Sequence, residues 1–333
     1  MSVLTRKAGL VSSLERTRVS QAAGRTLHYA DLNAREVAGL DHAHTIALMA
    51  LSPLEVHGPH LPIATDVIVA RELQARILTR LEEHYPDYDR LVLPTFYAGC
   101  DTIPVPGSVN VDSRAIYHLL VSTGRCLAEQ GFRYLIMTDN HGGPRHQIAI
   151  EKAVRRVYRK HRFYIVAPFL NFYRRMVECD PALLIATGTA PGSCGDLTDS
   201  HAGRNETSLM LATAPERVAA ERESLGWVTI GRRSLVYRLV MAGRPLLRRL
   251  GARQLAADLP ALATALAWVT ARNKPTYVGE PRLATAEAGH RMLDAHAEEA
   301  LAQLARAMSG QPPYSRPLLW SLRFIEGSER PWP

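Results

Sequence analysis

The classes this 333-residue chain can belong to are narrowed first by what it lacks. It has four cysteines, Cys100, Cys126, Cys179 and Cys194, and no two of them form a C-x-x-C pair. That disfavours both a disulfide scaffold and a thiolate zinc cluster, and reduced thiols in the cytoplasm are the simplest expectation. No stretch approaches the ~18 consecutive apolar residues of a membrane-spanning helix. The opening residues carry neither the long apolar core nor the small-residue cleavage site of a signal peptide. Neither a G-x-G-x-x-G fingerprint nor a Walker loop occurs, so nucleotide binding has no motif behind it. Internal repeats and low-complexity tracts are missing as well.

What remains is ordinary globular composition, 47% hydrophobic and 22% charged, with enough chain to bury a core. Lys and Arg outnumber Asp and Glu 40 to 32, a net charge of +8. Such a balance suits nucleic acid, an anionic membrane or an anionic substrate. Arginines crowd residues 155–175 and 232–253. Neither group shows the aromatic interleaving of a nucleic-acid module. Solvated helix faces or subunit contacts are therefore expected there, with no nucleic-acid or membrane partner.

Apolar runs of strand length alternate with helix-period stretches, the signature of βαβ units and a mostly parallel sheet. Strands are expected at 44–51, 91–93, 134–138 and 163–167. Helices are expected at 66–84, 112–130, 145–160 and 285–308. In the first of these, Val69, Leu73, Ile77 and Leu81 keep a spacing of four, and Thr65 or Asp66 can cap its start. Gly131 sits where a left-handed C-terminal residue belongs, and Gly310 ends the last helix. Residues 187–203, with Gly188, Gly192, Gly195 and Gly203, read as a long loop, a kind that is often functional. Residues 215–275 are rich in Leu, Ala and Arg and read as a helical insert. The expected organisation is an N-terminal extension over 1–40, an α/β domain over 41–310 that contains the insert, and a C-terminal tail over 311–333.

Three stretches gather His, Asp and Glu just beyond expected strands or in the Gly-rich loop. They are Glu55-Val-His57-Gly-Pro-His60-Leu-Pro-Ile-Ala-Thr-Asp66, Asp139-Asn140-His141-Gly142-Gly143, and Asp199-Ser-His201-Ala-Gly-Arg-Asn-Glu206. Ligands of open α/β sheets bind beyond the carboxyl ends of the strands. Imidazoles with carboxylates suit Zn²⁺, Mn²⁺ or Fe²⁺. A pair of such cations needs a bridging group, for which a two-oxygen carboxylate is apt. Asp66 is the candidate bridge, with Glu55 and His57 divided between the ions and His141 completing one set. Plainer roles exist for each residue. Glu55 can form a salt bridge or cap a helix, Asp66 can cap the following helix, and the histidines can be satisfied core residues. Glu206 can be an N-terminal helix charge. His60 is expected to orient a neighbour or fix a loop rather than to bind metal. Asp139 and Asn140 shape the strand-end turn or orient a ligand, and Gly142 and Gly143 let backbone approach the site. Cys100 and Cys194 are alternative nucleophiles.

The same motifs carry a resemblance. E-x-H-G-x-H-L-P-(x)3-D, then N-H-G-G, then H-A-G-x-x-E-T-S-L-M-L resembles the creatininase family of metal-dependent amidohydrolases. Pro94 to Gly99, Pro106-Gly-Ser108 and the late G-E-P-R-L-A-T-A-E-A-G (279–289) fit it as well. The similarity spans about 44–214 and 276–309. It implies a three-layer α/β/α fold, two divalent metal ions and a homo-oligomer, often a hexamer. It also implies that Glu55, His57, Asp66 and His141 are metal ligands, with Asp66 in the bridging position, and that His201 transfers protons. Gly143 stands where creatininase has a ligand Glu. The missing carboxylate has to come from elsewhere, and Glu206 is the candidate, as ligand or as proton-transfer group. Near the matching motifs the tryptophans and tyrosine that wall the creatininase pocket are replaced by Leu197 and Gly142, which argues against creatinine itself.

The expected activity is hydrolysis of a C–N bond other than a peptide bond, in a small amide, lactam or formamide, by water that two cations share. A creatininase-like peptidase that trims a peptide in cofactor or natural-product biosynthesis is the alternative. A non-catalytic metal-binding assembly protein is the alternative of another class.

Overall fold

The computed structural model describes residues 24–189, 199–230 and 234–324. Cys194, Leu197, Arg232 and most of the Gly-rich loop lie outside the described residues. Six strands make the sheet: β1 (Thr26–His28), β2 (Thr45–Ser52), β3 (Asp89–Val92), β4 (Phe96–Tyr97), β5 (Tyr134–Thr138) and β6 (Tyr164–Val166). Every pairing is parallel. The order is β1-β3-β2-β5-β6, with β4 beside the end of β2. The helices are α1 (Ala34–Ala38), α2 (Thr65–His84), α3 (Ser113–Glu129), α4 (Pro144–His161), α5 (Pro168–Val177), α6 (Pro181–Thr187), α7 (Arg204–Thr213), α8 (Leu235–Ala242), α9 (Arg244–Arg249), α10 (Arg253–Val269) and α11 (Ala286–Met308).

All eight residues of β2 are buried, as expected of a central strand covered on both faces. Alternate side chains serve opposite layers. Ile46 and Leu48 of β2 with Ile136 of β5 pack under α2, α7 and α11. Ala47, Met49 and Leu51 with Leu135 and Met137 pack under α3 and α4. The three-layer α/β/α arrangement therefore follows from the two-residue side-chain period of the strands. Val69, Leu73, Ile77 and Leu81 are all buried along one face of α2.

Three local expectations are corrected. Neither Thr65 nor Asp66 caps α2: the cap position is Ala64, without a side-chain bond. The Thr65 hydroxyl donates instead to the Pro62 carbonyl at 2.6 Å, and the Asp66 carboxylate is occupied elsewhere, as described below. The stretch read as a helical insert begins with short 3-10 turns at Pro215–Arg217 and Ala220–Glu223, and its α-helices among the described residues are α8 to α10. Finally, β1 lies within the stretch read as an extension, yet it pairs with β3 at the sheet edge. It holds no buried residue, so no apolar run marks it.

Candidate metal centre

The first motif leaves the carboxyl end of β2, the second leaves β5, and the third leads into α7. The topology thus brings them to one edge of the sheet. The Glu55 carboxylate accepts from the Ile103 amide at 2.6 Å through one oxygen. Its other oxygen faces His141 Nδ1 at 3.1 Å. Asp66, in the first turn of α2, divides its two oxygens. Oδ2 is 3.4 Å from His141 Nδ1, and Oδ1 is 3.4 Å from His57 Nε2. Glu206, in the first turn of α7, approaches the same His57 Nε2 at 3.6 Å. His201 Nδ1 lies 3.9 Å from Glu206, and its ring lies 4.3 Å from that of His57, centre to centre.

Each imidazole spends one N–H on a backbone carbonyl. His57 Nδ1 donates to Glu55 at 2.9 Å, His141 Nε2 to Cys100 at 2.8 Å, and His201 Nε2 to Val56 at 2.8 Å. The opposite nitrogen of every ring is thereby aimed into the site. This is how metal-ligating histidines are held: the outer bond fixes the tautomer and the ring plane. Glu55 Oε2, His57 Nε2 and Asp66 Oδ2 are buried and make no hydrogen bond. Buried polar atoms are almost always paired, so three orphans that converge are donors awaiting a partner of positive charge. Two donor groups result, Glu55–Asp66–His141 and His57–Asp66–Glu206, joined through Asp66. A third, Glu55–His57–His201, overlaps them. The donor set fits one or two divalent cations.

The electrostatics agree. Burial pulls the His57 imidazole down, but the facing carboxylates of Asp66 and Glu206 outweigh it and lift it to about 10. Burial likewise opposes protonation of His141, and Glu55 and Asp66 carry it well above its ordinary value. Burial would raise Asp66, and His57 with His141 hold it well below the usual carboxylate range. Burial keeps Glu206 raised despite His57 and His201. The pocket therefore demands positive charge, which protons or a cation can supply. Cation binding at such a site displaces those protons.

The remaining motif residues take supporting places. His60 Nε2 pairs with the Thr207 hydroxyl at 2.8 Å, tying the first motif to α7, and it belongs to none of the donor groups. Burial, with His57 nearby, holds His60 at about 4, so it stays neutral. Asp139 accepts from the Ser52 hydroxyl, from the amides of Asn140 at 2.8 Å and His141 at 3.1 Å, and pairs with His146 at 3.1 Å. It fixes the turn that presents His141. The Asn140 side chain donates to Asp66 Oδ1 at 3.2 Å. Cys100 contributes its carbonyl to His141. The late motif braces the third: Val278 donates to the His201 carbonyl at 2.7 Å. Gly289 lets α11 close onto α7, because a Cβ there would lie 2.0 Å from the Ser208 carbonyl oxygen.

Gly143 is equally constrained. A Cβ would stand 2.4 Å from His141 Nε2 and 2.5 Å from the Cys100 oxygen. Gly143→Ala is expected to push His141 off its carbonyl and to weaken cation affinity about 10–100-fold, the usual cost of losing such an orienting bond. Competition with a metallochromic indicator measures it, and an unchanged affinity would show that the ring is held by other means.

Glu55, His141, His201 and Glu206 line a cavity of about 660 Å³. Its walls are mostly apolar and include Phe169, Tyr173, Trp268 and Leu319. Tyr173 packs over Gly142, 3.1 Å from where a Cβ would be. Trp268 meets His201 edge-on at 5.4 Å. The aromatic wall that the sequence motifs lacked is thus supplied by α5 and by the insert. No local pattern marks these residues, since none lies in or beside the three motifs.

A model of the creatininase family, described as creatinine amidohydrolase, matches residues 30–304. The chain belongs to the creatininase family. It is accordingly a hydrolase of a metal-binding family. A mycofactocin precursor peptide peptidase of Mycobacterium ulcerans (strain Agy99) is 28% identical over 268 residues, 79% of this chain and 86% of that protein. A protein of the same name from Mycobacterium tuberculosis (strain ATCC 25618 / H37Rv) is 27% identical over 269 residues, 78% of this chain and 85% of that one. Among solved structures, a creatinine amidohydrolase superposes with a TM-score of 0.57 at 20% identity, covering 86% of this chain and 98% of that one. A putative creatinine amidohydrolase from Bacteroides fragilis NCTC 9343 gives 0.57 at 20%, covering 84% and 96%. These likenesses establish the creatininase-like fold. Among the described residues no helix is long and apolar enough to cross a membrane.

Proposed function

We propose that this chain hydrolyses an amide C–N bond with the help of two divalent cations, and that its substrate is a peptide. The observation that carries the reading is the sharing of Asp66 between two donor groups, of which Glu55, His141 and Glu206 line a large, mostly apolar cavity. Glu55, Asp66 and His141 would hold one ion, and His57, Asp66 and Glu206 the other, with Zn²⁺, Mn²⁺ and Fe²⁺ all compatible with N/O donors. When bound, the ions supply Lewis-acid polarisation of an amide carbonyl and acidify water. His201, with Nε2 donating to the Val56 carbonyl, directs Nδ1 into the site, where it would relay a proton from the attacking water to the departing nitrogen. The walls exclude bulk water and seat the rest of the substrate. A peptide is favoured over a small lactam because the cavity extends well past the donors, and because the two mycobacterial relatives are named as peptidases.

The test is mass spectrometry of products from peptides, lactams and formamides, with cation-loaded and chelator-treated protein. Peptide cleavage that chelation removes and Zn²⁺, Mn²⁺ or Fe²⁺ restores is the expected result. Cleavage confined to lactams or formamides would replace the peptide with a small amide. A loaded protein that cleaves none of them would leave only a metal-binding assembly role.

A further inference from the structure

Residues 314–322 lie beyond the stretch that matches the family, which ends at 304, and they reach the cavity through Leu318 and Leu319. The Ser315 amide donates to both oxygens of the buried Glu151 carboxylate in α4, each at 3.1 Å. The Ser315 carbonyl accepts from Arg155 at 2.9 Å, and that guanidinium lies 4.4 Å from the Tyr314 ring centre and 4.8 Å from that of Trp320. Arg174 of α5 donates to the Arg316 carbonyl at 2.8 Å. At the far end, the amide of Ser321 donates to Asp258 of α10 at 3.2 Å, and its hydroxyl donates to the same carboxylate. The strap therefore joins α4, α5 and the insert. Between its two anchors Leu319 is buried at 1% exposure, has a left-handed backbone with φ +60°, and lines the cavity with Leu318. A leucine keeps that disfavoured conformation only where its surroundings fix it, a condition typical of ligand clamps. Trp268, which lines the same cavity, is locked by its own bond, Nε1 to the Pro275 carbonyl at 3.1 Å, with its ring against His201. A group packed on Trp268 is thus next to the reacting centre.

We propose that the 314–322 strap is a wall of the substrate pocket, and that Leu319 together with Trp268 selects amides bearing a bulky apolar group beside the bond that is cut. The inference rests on the amide-hydrolase reading above, but its test does not require turnover. Ligand-observed NMR gives affinities for N-acetyl-phenylalaninamide and N-acetylglycinamide, with cation-loaded and with chelator-treated protein. The phenylalanine compound is expected to bind at least about tenfold more tightly. Leu319→Ala is expected to shrink that ratio about tenfold by weakening the phenylalanine compound alone, and the conservative Leu319→Met to keep it. An unchanged affinity for N-acetylglycinamide in the alanine variant cannot come with misfolding, which would weaken both compounds. Equal binding of the two compounds by the unaltered protein, or equal changes for both in the alanine variant, overturns the assignment. Discrimination without hydrolysis of any amide would keep the pocket and sink the catalytic reading. Hydrolysis without discrimination would do the reverse.

Discussion

Replacing Asp66 with Asn is expected to strip the protein of bound cation and to lower amide hydrolysis by about 10³-fold or more, the loss typical when a preorganised electrostatic group leaves an active site. The side chain keeps its size, so packing is not the cause. What changes is charge at the one residue common to both donor groups. An amide offers a single weak oxygen donor where the carboxylate directs Oδ1 to His57 and Oδ2 to His141. The neighbouring Asn140 side chain can still donate to the remaining oxygen, which preserves the local fold. Elemental analysis of the purified variant decides the point: full cation content per chain would refute Asp66 as the shared donor.

His201→Ala is expected to slow turnover by about 10²–10⁴-fold, the usual contribution of a positioned proton-transfer group, while cation content stays complete. The separation of the two effects is the informative part. His201 Nδ1 stands 3.9 Å from Glu206, and His201 also appears in one overlapping donor group with Glu55 and His57. A variant that loses both cation and rate would make it a ligand. A variant that keeps both would leave it the role of a packing surface for Trp268.

The fold was readable where elements are long. The strands β2, β5 and β6 are uninterrupted apolar runs, and α2, α3, α4 and α11 repeat their apolar residues at helical spacing. The strands β1 and β4 hold no buried residue, so no apolar run marks them, whereas the equally short β6 is buried throughout. Asp66 illustrates a different obstacle. A carboxylate at the start of a helix is what both a cap and a cation donor require, so its position alone could not tell them apart. The donor groups were legible because their residues sit in compact motifs. Trp268, Tyr173 and Leu319 were not, because only the packing of α5, α10 and the 314–322 strap brings them to the cavity.

The histidines fixed by Glu55, Val56 and Cys100 carbonyls have a consequence for biogenesis. Glu206 is separated from Glu55 in the chain by β3, β4, β5 and β6, so a ribosome must complete nearly the whole sheet before the last donor emerges. Under the proposed ligand set, the complete donor set exists only once every strand of the sheet has been made. Which ion is captured depends on what the surroundings hold at that moment, because the oxygen and nitrogen donors are common to several divalent metals.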